Sequence, residues 1–110
     1  MTNEICLVAS GDLRLSANQM CWAAQAALEE AVTAAFARLG TRVVRGHPVD
    51  ASKGHGFLDS QIAGIRAFRN IDPDMPIVVA EAVWQYTSHV LPGLARHRAP
   101  ILTLANWSGQ

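Results

Sequence analysis

Four stretches of the chain are apolar with little or no polar interruption: Ile5 to Ala9, the valines of Thr41 to Arg45, Ile77 to Ala80 and Pro100 to Ala105. Such runs lack the alternation of a half-solvated strand and suit a parallel sheet covered on both faces. Val43 and Val44 are flanked by arginines, the pattern of an edge strand. Between the runs the apolar spacing turns helical. Met20, Ala24, Ala27, Leu28, Ala31, Val32, Ala35 and Leu39 predict a long first helix with an alanine-rich inner face. Ser16 and Gln19 stand in capping-box spacing at its start, and Gly40 is suited to its stop. Leu58, Ile62, Ile65, Phe68 and Ile71 predict a second helix, closed near Asn70 and ended by Asp72-Pro73-Asp74. A third, shorter helix is expected from Thr87 or Ser88 through Arg98, with Pro92 and Gly93 weakening its first turn.

The order β-α-β-α-β-α-β predicts an α/β fold: a three-layer α-β-α, flavodoxin-like or Rossmann-like parallel sheet of about four strands, order 2-1-3-4. Residues 1–110 form a single domain with no internal repeat. Ligands of such sheets gather beyond the carboxyl ends of the strands, beside the first strand. Asp12, Arg14, Asn18 and Gln19 are expected there. The exit of the third strand, Glu81 to Tyr86, is the second candidate loop. Gly46 to Gly56, with His47, Pro48, Asp50, Lys53 and His55, reads as an irregular and mobile loop.

Composition narrows the partners. Nine Lys plus Arg balance nine Asp plus Glu, which leaves no electrostatic footprint for nucleic acid or an anionic membrane surface. No apolar run reaches the roughly 20 residues of a membrane span, and Met-Thr-Asn-Glu lacks the features of a secretory signal. The expected compartment is the cytoplasm, with Cys6 and Cys21 as buried reduced thiols. A chain of 110 residues, half of them hydrophobic, can bury about 60–70% of its unfolded surface. It stops one short loop beyond an apolar strand, without the helix that should cover it, and is therefore read as a fragment of a longer polypeptide.

Several chemistries lack their residues. Only Gly11 stands where a phosphate-binding glycine loop would follow the first strand. Cys6 lies inside the strand and not at a helix mouth, as a phosphocysteine loop requires. Asp12 stands nearly alone where a receiver would cluster carboxylates around a metal. The four histidines are read as surface residues in preference to ligands, with His47 and His55 sharing a loop and His89 and His97 a helix. Asp12 and Glu81 could face one crevice as an acid and a base, although a capping Asp12 and a solvated Glu81 are favoured. Trp84, Tyr86 and Trp107 crowd the strand exits. They imply either a ligand or partner that covers them, or packing within the domain.

GDLRLSANQ after the first strand, VWQYTSHVLPGLARH after the third and PILTLANWSGQ at the end resemble the N-terminal region of the L-fucose/L-arabinose isomerase family, in its fucose-isomerase-like branch. The resemblance runs along nearly the whole chain. It implies an oligomeric aldose–ketose isomerase that uses a divalent metal, usually manganese, for proton transfer through an enediol. The metal ligands belong to later domains, so the resemblance assigns no catalytic or metal-binding residue here, and the fragment alone would be inactive. What it implies for this region is a wall of the aldose pocket, contacting other domains and neighbouring subunits of a homo-oligomer. Trp84 would stack on the sugar and Arg14 would donate to its hydroxyls, with Asp12, Gln19, Gln85, Tyr86 and Trp107 as further substrate-binding candidates. The loop around Arg14 departs from the arabinose-isomerase form. The competing reading is a stand-alone flavodoxin-like module that binds a small ligand or a protein.

Overall fold

The computed structural model describes residues 3–82 and 87–105. The strands are β1 (Asn3–Val8), β2 (Thr41–Arg45), β3 (Ile77–Glu81) and β4 (Ile101–Ala105). They form one parallel sheet in the order β2-β1-β3-β4. The helices are α1 (Leu15–Arg38), α2 (Gln61–Arg69) and α3 (Leu91–Arg96), the last preceded by a 3-10 turn over Thr87–His89.

Alternation along β1 and β3 divides the core in two, because successive side chains point to opposite faces of a sheet. Ile5, Leu7, Ala9, Val78 and Ala80 pack with Cys21, Trp22, Leu28, Val32 and Phe36 of α1. Cys6, Val8, Ile77 and Val79 pack with Ala63, Ala67 and Phe68 of α2 and Leu94 of α3. The chain is thus a three-layer α/β sandwich. The central strands are buried on both sides, as unbroken apolar runs require, and β2 lies at one edge. At the other edge, Ile101 and Leu102 of β4 remain 40% and 45% exposed.

The inner face of α1 differs from the predicted one. Met20, Ala24, Ala27, Ala31, Ala35 and Leu39 face outward, with Met20 84% and Leu39 77% exposed. The buried positions are Asn18, Gln25 and Val32. Apolar residues cover both sides of this helix, so the spacing of alanines does not choose a face; Cys21, Trp22, Leu28, Val32 and Phe36 pack inward, with the amides of Asn18 and Gln25 bonded on the same side. The Ser16–Gln19 capping box is absent as well, since Arg14 is the N-cap and no side chain caps it.

In α2, Ile62 and Ile65 are exposed while Leu58 and Ile71 are buried outside the helix. The inward positions are Phe68 and the small residues Ala63, Gly64 and Ala67. A Cβ on Gly64 would lie 1.7 Å from the His89 carbonyl oxygen. Only glycine lets α2 approach the 3-10 turn so closely. Ser60 caps α2 by accepting the Ala63 N–H at 3.1 Å, and Asn70 ends it, donating its side-chain amide to the Arg66 carbonyl.

Candidate ligand site at the carboxyl edge of the sheet

Beyond Val8 the chain stays extended and gains a further neighbour. Leu58 donates its N–H to the Ala9 carbonyl, and Gly11 donates to the Leu58 carbonyl, both at 2.8 Å. This one-residue ladder carries β1 past its formal end and into the next loop. Gly11 admits no side chain, because a Cβ would sit 2.5 Å from both Asn18 Oδ1 and Phe57 Cβ.

Asn18, fully buried on the first turn of α1, reads the backbone of Asp12 at two points. Its Oδ1 accepts the Asp12 N–H, and its Nδ2 donates to the Asp12 carbonyl, each at 2.8 Å. The Asp12 carboxylate then accepts the Arg14 backbone N–H at 2.9 Å and the Arg14 guanidinium at 3.1 and 2.8 Å. These charge-assisted bonds hold the Asp12 carboxyl down to about 2. Asp12 is therefore an ionised positioning group. The Arg14 side chain above it is 68% exposed, so a guanidinium of fixed orientation stands at the rim.

Glu81 closes β3 and is 7% exposed, where a solvated turn was expected. Its Oε1 accepts the Ser10 N–H at 2.9 Å, tying the exits of β1 and β3 together. Its Oε2 is buried with no hydrogen-bond partner among the described residues. Burial pushes the carboxyl up to about 8, partly offset by the Ser10 bond. Asp12 and Glu81 thus share the carboxyl edge in opposite states, one ionised and one protonated at neutral pH. Beside them Gln25, also fully buried, donates to the Ala80 carbonyl at 2.9 Å and accepts the Ala82 N–H at 2.8 Å. The entry to the 83–86 segment is anchored by those bonds.

The loop after β2 is stapled down by a half-buried ion pair. Glu29 accepts Arg45 Nε and Nη2 at 2.8 and 2.7 Å, and Arg45 also donates to the carbonyls of His47 and Gly56 at 2.9 and 3.0 Å. Gln19 donates to the Lys53 carbonyl at 2.9 Å, so it fastens this loop to α1. An antiparallel bridge joins Asp50 to His55. Beneath the loop lies a cavity of about 400 Å³ whose lining includes His47, Asp50, Lys53, Asp59 and Arg66.

Three histidines expected on the surface are buried: His47, His55 and His89. His47 Nε2 accepts the Ala9 N–H at 3.1 Å, which fixes it as a neutral ring. Burial, then the Arg45 charge, drives it down to about 3. His55 Nδ1 accepts the Phe57 N–H at 3.0 Å, and its Nε2 lies 3.8 Å from Asp59 Oδ2. Burial lowers His55 and His89, and nearby carboxylates oppose that shift in both. At His89 the nearby Gly11 backbone opposes it too. His89 and His97 do not share a helix: the first belongs to the 3-10 turn, and the second ends α3 with Nε2 2.6 Å from the Met75 carbonyl oxygen.

Of the sequence-predicted site residues, Asp12, Arg14 and Gln19 are gathered at the carboxyl edge, Gln19 as a loop anchor. Trp84, Gln85, Tyr86 and Trp107 lie outside the described residues. Among the described residues no three His, Cys, Asp or Glu converge as a ligand set. Comparison of the chain with family models, curated proteins and solved structures returns no match.

Proposed function

We propose that this chain is the N-terminal, subunit-contacting wall of the sugar pocket in a metal-dependent aldose–ketose isomerase of the L-fucose/D-arabinose type. The observation that carries the reading is the Asp12–Arg14 fork at the carboxyl edge. A buried carboxylate spends its acceptors on orienting a guanidinium that is 68% exposed, which suits hydroxyl recognition more than proton transfer. The segments GDLRLSANQ and VWQYTSHVLPGLARH support the assignment through their resemblance to that family, and they follow β1 and β3 in the sequence. In this reading Trp84 stacks on the polyol, Gln85, Tyr86 and Trp107 complete the wall, and Glu81 and Gln25 hold the exit of β3. Metal and proton relay come from elsewhere in the assembly, and the chain alone is inactive.

The test uses the protein that contains this chain, assayed for ketose formation from L-fucose and D-arabinose with manganese. Trp84→Ala should cost about 1–3 kcal/mol in kcat/KM without changing metal affinity, and Arg14→Gln should raise KM. Absence of ketose from either sugar, or unchanged kinetics in both variants, would overturn the proposal. A flavodoxin-like small-ligand module is the second reading, favoured by the cavity beneath the 46–59 loop. In that case Arg66→Gln should weaken ligand binding while Trp84→Ala leaves it unaltered.

A further inference from the structure

Parallel α/β folds place the C-terminal ends of their helices at the amino edge of the sheet, away from Asp12 and Glu81. There α2 and α3 leave a groove of about 340 Å³ between them. Its walls are apolar, contributed by Ile65, Phe68, Ile71, Pro73 and Pro92, with Arg69 and Arg96 at its margins. Gly93, without a side chain, lets the Phe68 ring pack directly on α3. A Cβ at that position would lie 2.2 Å from Phe68 Cγ and press on the ring that forms the floor.

The charges there are unevenly answered. Arg98, close by in sequence, takes the Asp74 carboxylate through two bonds at 2.9 and 3.1 Å. Asp72 Oδ1 is occupied by the Asp74 N–H at 2.9 Å. Arg69 and Arg96 have no acidic partner among the described residues. A basic residue in a helix's last turn complements the helix dipole, which accounts for one arginine on each helix. Both arginines also line one apolar trough, whose rim includes Ile65, 44% exposed, and neither carries a carboxylate among the described residues.

We propose that this groove binds a small amphipathic carboxylate, with its apolar body on Phe68 and Ile71 and its anionic head between Arg69 and Arg96. The volume lies near the lower end of the range for small-molecule sites, roughly 300–1,000 Å³. An aryl-alkanoate of about twelve non-hydrogen atoms fits that scale, and its Kd is expected on the order of 1 mM.

The experiment titrates the full chain with 4-phenylbutyrate and, in parallel, with its neutral counterpart 4-phenyl-1-butanol, followed by amide chemical shifts. Shifts should cluster in residues 65–73 and 92–97, and the alcohol should bind about tenfold more weakly. Arg69→Gln combined with Arg96→Gln should weaken phenylbutyrate about tenfold while the amide spectrum stays that of the folded chain, whereas the corresponding double lysine variant retains most of the affinity. Equal affinity for acid and alcohol would overturn the proposal. So would shifts confined to other residues, or a glutamine variant that binds like the parent.

Discussion

Replacing Glu81 by glutamine should remove a loss of stability between pH 6.5 and 8. In the folded chain the carboxyl titrates near 8, against an ordinary 4.5. From 4.5 upward the unfolded chain releases this proton and the folded chain keeps it, so stability falls as pH rises toward 8. His47 acts in the opposite sense. Its folded value is near 3, against 6.5, so the unfolded chain binds the extra proton and stability rises with pH over that interval. The two slopes cancel between 4.5 and 6.5, and the depressed His55 and His89 tilt the balance toward a rise. Above 6.5 the histidines no longer contribute, and among the described residues Glu81 alone sets the slope until it ionises near 8. One proton is worth about 1.4 kcal/mol per pH unit, so the decline over this window is about 2 kcal/mol. That equals a drop in Tm of roughly 10 °C for a domain of this size. Urea unfolding from pH 5 to 8.5, read by tryptophan fluorescence, should show a maximum near pH 6.5 in the parent and a plateau above it in Glu81→Gln. Glutamine can still accept the Ser10 N–H, so the variant should fold. Parallel curves for the two proteins above pH 6.5 would refute the assignment of Glu81 as a buried, protonated acid.

Asn18→Ala leaves the buried Asp12 N–H and carbonyl without their partner; a cost of about 2 kcal/mol and faster exchange of the Asp12 amide are expected from equilibrium unfolding and hydrogen exchange. Gly64→Ala forces a methyl into the His89 carbonyl, and destabilisation of about 3 kcal/mol or more should appear in denaturant titration. Cys6, 3% exposed and pushed by burial up to about 11, should resist a thiol reagent at pH 8 in the folded chain and react on unfolding.

The layout of the sheet was legible because its signal is strong and local: central strands buried on both faces show as unbroken apolar runs, and arginines flanking Val43 and Val44 mark an edge. The inner face of α1 was not legible, since alanines occur all round the helix. Its inward positions include Asn18 and Gln25, polar residues whose partners lie in the Asp12 loop and at the end of β3. Glu81 and three histidines were read as exposed for the same reason. Glu81 and His47 are accommodated through backbone groups that the sequence does not place beside them, Ser10 and Ala9, and His89 lies by Gly11, whereas His55 takes the N–H of Phe57 two residues on. Asp12 and Arg14 were placed correctly at the carboxyl edge, because only the end of β1 had to be known.

Gln25 meets the main chain at the end of β3 as a neighbouring strand would, offering one donor and one acceptor to Ala80 and Ala82. A helix side chain thus supplies the last rung of a ladder. The exit of β3 is held by α1 through Gln25, together with the Ser10–Glu81 bond and the pairing of Ala80 and Glu81 with β4. A change at Gln25 on α1 is therefore felt at Ala80, 55 residues further along the chain.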